Sequence, residues 1–110
     1  MKVAFRRDWI SRKGDPSRMS IIRVKGDSMK PTLLNGDLIL VDHGLDYVEA
    51  PGGIYAIYIN DVIVAKRIQV LYDTGKVRII SDNTQWEPMD VAEDQIRVNG
   101  KVIWFARELD

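Results

Sequence analysis

A serine at position 28 and a lysine at position 66 are the residues of this chain best suited to chemistry. Ser28 stands in Gly26-Asp27-Ser28-Met29-Lys30-Pro31, between an apolar stretch and a turn signal, so its hydroxyl falls at a predicted strand end just after a flexible glycine. Gly26 lets the backbone bend there, and the amides of Asp27 and Ser28 can then point together as an oxyanion hole for developing negative charge. Gly-Asp-Ser is also ordinary turn chemistry. In Val62-Ile63-Val64-Ala65-Lys66 the two-residue period of a strand puts Lys66 on the face of Val62 and Val64, with Ile68 beyond it. Burial there favours the neutral amine, which takes a proton from a serine hydroxyl far better than a lysine near its usual pKa of about 10.4. The alternative is a one-sided or edge strand from which Lys66 snorkels to water beside Arg67. The residues alone leave a Ser-Lys dyad open.

Other chemistries are harder to build. The 110 residues contain no cysteine, which excludes disulfides, thiolate metal sites and cysteine nucleophiles. His43 is the single histidine, and it lies in the turn-rich Asp42-His43-Gly44, where a plain surface histidine is expected rather than a triad member. No cofactor and no metal are expected. No apolar run reaches the roughly 20 residues of a membrane helix, and no apolar segment follows the first charges, so no membrane association and a cytoplasmic location are expected. Net charge is zero, but residues 1–30 hold nine Lys/Arg against three Asp, and residues 31–110 hold seven against thirteen acidic side chains. A basic arm balanced by an acidic body accounts for this, with an acidic partner as the other reading.

The elements that must position these groups read as all-β. Strands are expected at 21–24, 38–41, 54–59, 62–72, 76–80, 96–98 and 101–106, separated by Asn35-Gly36-Asp37, Pro51-Gly52-Gly53, Asn60-Asp61, Asp73-Thr74-Gly75, a polar loop over 81–88, and Asn99-Gly100. Helix is confined to the arm around 6–12 and a single turn after Ser28. One domain is expected, with residues 1–19 as an arm and 20–110 as the folded body. Trp104 and Phe105 are both read as core, with a dimer contact by one of them as the alternative, Trp9 as packing the arm on the domain or sitting in a linker groove, and Trp86 as lining the approach to the site or shielding a core edge.

Three segments in order carry a resemblance: Val24-Lys25-Gly26-Asp27-Ser28-Met29-Lys30-Pro31 with Asn35-Gly36-Asp37-Leu38-Ile39-Leu40-Val41-Asp42, then Val64-Ala65-Lys66-Arg67-Ile68, then Ser81-Asp82-Asn83 with Glu87-Pro88. From about residue 20 onward the chain resembles the S24 peptidase domain shared by LexA, phage repressors and UmuD. Residues 3–10 favour the phage-repressor branch. The resemblance implies an all-β, LexA/signal-peptidase-like β-clip fold of short twisted sheets. It implies Ser28 as nucleophile, Lys66 as general base, and the Asp27 and Ser28 amides as oxyanion donors.

The resemblance further implies a homodimer, self-cleavage of a segment in the same polypeptide at Ala-Gly or Cys-Gly, stimulation by a recombinase filament, and DNA contact only through a helix-turn-helix outside this sequence. Neither dipeptide occurs in the 110 residues. The expectation is therefore a catalytic and dimerising piece of a bacterial or phage-encoded repressor, the alternative being a dimerisation module whose parent never cleaves itself. A membrane signal peptidase shares the chemistry but is discounted.

Overall fold

β-Branched residues fill the strands because their stiff side chains pack well on a pleated surface, and here they do so on both faces of one sheet. A computed structural model describes residues 4–109. Seven strands, β1 (Met19–Arg23), β2 (Leu38–Asp42), β3 (Gly52–Ile59), β4 (Val62–Leu71), β5 (Lys76–Ile80), β6 (Met89–Ala92) and β7 (Val98–Ala106), join in a single antiparallel sheet of order β1-β2-β7-β3-β4-β5-β6. The all-β expectation is met. Tyr55, Ala56 and Ile57 are consecutive in β3 and all buried, so the sheet is covered on both sides at its centre. One core gathers Met29, Leu33, Ile39, Val41 and Ala56. The other gathers Tyr55, Ile57, Ile68 and Val77.

The β3–β4 hairpin turns at Asn60 and Asp61, both with positive φ (51° and 63°), the two-residue turn whose twist matches the strands. Helix α1 spans Arg7–Lys13, as expected of the arm, and no helix among the described residues is long and apolar enough to cross a membrane. Trp9 stacks on Phe5 at 5.2 Å, and Phe5 meets Trp104 edge-on at 4.8 Å, so the arm lies on β7. Trp104 is partly covered by this contact, but Phe105 is 47% exposed, which corrects its assignment to the core: alternation turns it to the face opposite Trp104, where the Arg107 guanidinium lies 5.5 Å from its ring.

Two further expectations change. Asn99-Gly100 is not a turn; β7 runs through it, with Gly100 paired to Ala56. A Cβ at Gly100 would lie 2.6 Å from the Asp42 carbonyl oxygen and 2.7 Å from Val41 Cγ1, so the glycine permits a close approach of β2, beside the register shift at Leu40/Val41. Strand β6 was not expected, because Met-Asp-Val-Ala carries little β signal. It pairs with β5 and is fastened by Arg78, whose Nε and Nη2 donate to the Asp90 carboxylate at 2.7 and 3.0 Å.

The segment carrying Ser28 is a loop closed at its neck. The Val24 amide donates to the Asp37 carbonyl and the Gly36 amide to the Val24 carbonyl, both at 2.8 Å. Asp37 is 1% exposed and accepts from Arg107 Nε and Nη2 (2.9 and 2.8 Å) and from the Leu34 amide (2.8 Å). The Arg107 guanidinium holds the Asp37 carboxyl below its ordinary range. Its stabilising effect is thus present at neutral pH and is lost as pH falls through that lowered value. Arg107→Ala strands a buried carboxylate and is expected to destabilise the fold, by less than the loss of one partner from a fully enclosed pair because the guanidinium is 41% exposed. Urea unfolding at pH 7 measures it; an unchanged unfolding midpoint would contradict the assignment.

Candidate functional site

Lys66 projects from β4, where Arg67 pairs with Ile80, so one step further along the hairpin Ser81 stands opposite Lys66. The Lys66 Nζ lies 2.9 Å from Ser28 Oγ and 2.9 Å from Ser81 Oγ. The ammonium therefore sits between two hydroxyls, with no carboxylate among its hydrogen-bond partners in the described residues. Lys66 is half-buried, and desolvation pushes its pKa below the ordinary value. The lone prospect raised by the residues themselves, a desolvated lysine near a serine hydroxyl, is what the fold brings together.

The Ser28 loop is fixed from several sides. The Lys30 amide donates to the Asp27 carbonyl at 3.2 Å, and the Leu33 amide to the Met29 carbonyl at 2.9 Å, so residues 28–32 form turns in place of the single helical turn expected after Ser28, Pro31 having no N–H to continue a helix. Gly26, with φ of 85°, takes the left-handed conformation that glycine reaches without strain, and its amide donates to Asn35 Oδ1 at 2.8 Å. Met29 beneath it is 2% exposed and anchors the loop in the core. The candidate oxyanion donors, the amides of Asp27 and Ser28, lie on this fixed turn.

The loop after β5 supplies groups to which the sequence reading gave no role. Beside Ser81, Asp82 accepts from Arg67 Nε and Nη2, both at 2.8 Å, and from Thr32 Oγ1 at 2.5 Å, so it ties β4 to the Ser28 loop. Arg67 is the main reason the Asp82 carboxyl titrates below its usual range. Asn83 contacts the backbone at Asp27 and Ser28. A signal for Ser81 was available: a hairpin closed with Leu71 opposite Lys76 sets Ser81 opposite Lys66 by counting. Trp86 is 43% exposed in this loop, and its amide donates to the Asn83 carbonyl at 3.1 Å.

Ser28 opens onto a groove of about 460 Å³ lined by aliphatic side chains, including Ile22, Val24, Ile39, Val62 and Val64, with Arg23 and Lys25 also along it. His43 is not the surface residue expected. It is half-buried, with Nε2 2.5 Å from Ser20 Oγ and Nδ1 3.0 Å from the Asn99 carbonyl oxygen. A carbonyl on Nδ1 requires the proton there, so in the neutral ring Nε2 accepts from Ser20. No described carboxylate completes a triad on it.

Against known proteins, the chain is 32% identical over 96% of its length to the repressor protein CI of Enterobacteria phage phi80. It is 31% identical over 77% of its length to the 26 kDa repressor protein of Escherichia phage HK022, and 32% identical over 81% to the LexA repressor of Pelotomaculum thermopropionicum. The matches span 45%, 36% and 41% of those proteins, so the chain covers less than half the length of these relatives. The Peptidase S24-like family model matches residues 1–103. On this match, spanning nearly the whole sequence, the chain belongs to the Peptidase S24-like family.

Proposed function

We propose that this chain is the C-terminal domain of a phage-type, LexA-like transcriptional repressor, and that Ser28 and Lys66 form a serine peptidase dyad that cleaves a segment of the same polypeptide. The observation that carries the reading is the 2.9 Å separation of Lys66 Nζ and Ser28 Oγ, with Lys66 desolvated by the fold. In its charged form the lysine donates to Ser28. Once neutral, it accepts the Ser28 proton as Oγ attacks the peptide carbonyl. The Asp27 and Ser28 amides, which carry no hydrogen bond to a described acceptor, receive the developing oxyanion. The C–N bond then breaks, Lys66 returns the proton to the leaving amine, and water hydrolyses the acyl ester. No cofactor enters these steps.

The aliphatic groove beside Ser28 suits an extended apolar stretch of the parent chain as the substrate. Cleavage would separate a DNA-binding helix-turn-helix domain from a homodimerising one, under stimulation by a recombinase filament. The test is to incubate the full-length parent at alkaline pH beside its Ser28→Ala and Lys66→Ala variants. The wild type should cut and both variants should not; an intact wild type at every pH would refute self-cleavage. Sedimentation of this chain should show a dimer, and a monomer at high concentration would remove that part of the proposal.

Ser81 is the second hydroxyl on Nζ. An oxygen that accepts from the ammonium favours the charged form, so Ser81→Ala should move the midpoint of the pH-rate profile downward. It should also lower the limiting rate about tenfold, because Nζ loses a contact that orients it. An unchanged profile would show that Ser81 is not part of the base's setting.

A further inference from the structure

Three consecutive residues after β5 each take hold of a different part of the site: Ser81 meets Lys66, Asp82 joins Arg67 to Thr32, and Asn83 reaches the backbone around Ser28. The third contact has the most specific geometry. The Asn83 amide N–H donates to the Ser28 carbonyl at 2.9 Å, and Asn83 Nδ2 donates to the Asp27 carbonyl at 3.1 Å. Two carbonyls on successive peptide planes are thus gripped by one residue. The side chain cannot swivel freely, because its Oδ1 accepts from the Gln85 amide at 3.1 Å, which leaves Nδ2 facing Asp27. Below it, the Asp82 amide lies 3.4 Å from Met29 Sδ, so Asp82 and Asn83 both fasten their loop to the Ser28 loop.

A trans peptide is planar, with its C=O and N–H pointing in opposite directions. The Asp27 carbonyl shares its plane with the Ser28 amide, and the Ser28 carbonyl shares its plane with the Met29 amide. Holding both carbonyls toward Asn83 therefore aims the Ser28 and Met29 N–H groups away from it. We infer that Asn83 is a positioning residue that sets the direction of the Ser28 amide, and so presents it to the oxyanion, by gripping the Asp27 and Ser28 carbonyls. The inference rests on the Ser-Lys reading and deepens it: Lys66 and Ser81 govern proton transfer, and Asn83 governs the geometry of charge stabilisation. Removing one oxyanion donor costs about 10²–10³ in rate, and misaiming it costs part of that.

Asn83→Asp is the sharpest change. It keeps the oxygen that accepts from Gln85 and replaces the Nδ2 donor with an oxygen that repels the Asp27 carbonyl. The probe is an alkyl fluorophosphonate, which needs no peptide substrate: Ser28 Oγ forms a bond to phosphorus, the P–F bond breaks, fluoride leaves, and Lys66 takes the hydroxyl proton. Its phosphoryl oxygen seeks the same donors as a peptide oxyanion. The labelling of this chain at Ser28, located by mass spectrometry, is followed across pH and probe concentration for the wild type, Asn83→Asp, Asn83→Ala and Ser28→Ala.

The limiting rate of Asn83→Asp should fall about 30-fold, within the range for a misaimed donor, while the half-saturating probe concentration and the pH midpoint stay in place. A residue that merely supports the fold would instead reduce the labelled fraction at an unchanged rate. Should Asn83→Asp melt early by circular dichroism, Asn83→Ala carries the test, with faster amide exchange at Ser28 and Met29 and unchanged exchange in β3 expected. Labelling of folded variants within twofold of the wild-type rate would overturn the positioning role and leave the dyad standing. A wild type that labels at Ser28 no faster than the Ser28→Ala background at any pH would overturn both.

Discussion

Lys66→Ala is expected to slow reaction at Ser28 by about 10²–10⁴-fold at neutral pH, the range for removing a positioned general base. Ser28→Ala, which removes the attacking atom, should leave no reaction above background. Among the described residues, Lys66 Nζ is the group within 2.9 Å of Ser28 Oγ that can take a proton, and the single histidine is engaged elsewhere by Ser20 and Asn99. Lys66→Arg is the more discriminating variant. An arginine keeps the charge but does not give up its proton in the accessible pH range, so it should be as inactive as alanine. Fluorophosphonate labelling of this chain and cleavage of the full-length parent are two independent readouts. Activity in either alanine variant near the wild-type rate would remove that residue from the chemistry.

How far the sequence disclosed this arrangement depended on how local each signal was. Asn60-Asp61 announces its hairpin because the turn is decided by two residues with positive φ. Val62-Ile63-Val64-Ala65-Lys66 announces a strand with an ill-placed charge, and Lys66 is indeed half-buried. Asn99-Gly100 sends the same local message as a turn, yet Gly100 serves a contact with Val41 and Asp42, more than fifty residues away in sequence, which no local pattern encodes. The same holds for Asp82 and Asn83. Their polar loop looks like any connection until the sheet order sets it against the Ser28 loop, where Asn83 meets carbonyls 56 and 55 residues earlier in the chain. Strand β6 was hidden for a related reason: its register depends on Asp90 meeting Arg78 across the sheet, and its own residues carry little preference. Phe105 looked like core because it is large and apolar, but its place near the end of β7 leaves it half in solvent.

Raising the pH should accelerate reaction at Ser28 about tenfold per unit until Lys66 has lost its proton, roughly 100-fold over two units, because the neutral fraction of a base well below its pKa grows by that factor. Desolvation lowers the Lys66 pKa from 10.5, so the plateau should arrive below that value. The same shift bears on stability. Between the lowered folded value and the ordinary one, the unfolded chain holds more protons at Lys66 than the folded chain does. The contribution of Lys66 to stability therefore rises with pH across that window and is lost as pH falls through the folded value. Lys66→Met should flatten this dependence while abolishing the reaction, so a buried base serves chemistry at the expense of the fold. Rate and stability profiles measured from pH 6 to pH 10.5 test both at once. A rate midpoint at the ordinary lysine value would show that the fold alone does not prepare the base. Because Lys66 is only half-buried, an apolar segment seated in the groove beside Ser28 removes more water from it, and the midpoint for cleavage of the parent should lie below that for the small probe. Equal midpoints would mean that docking contributes nothing to the activation of Lys66, and that the Ser28 loop and β4 supply the whole of it.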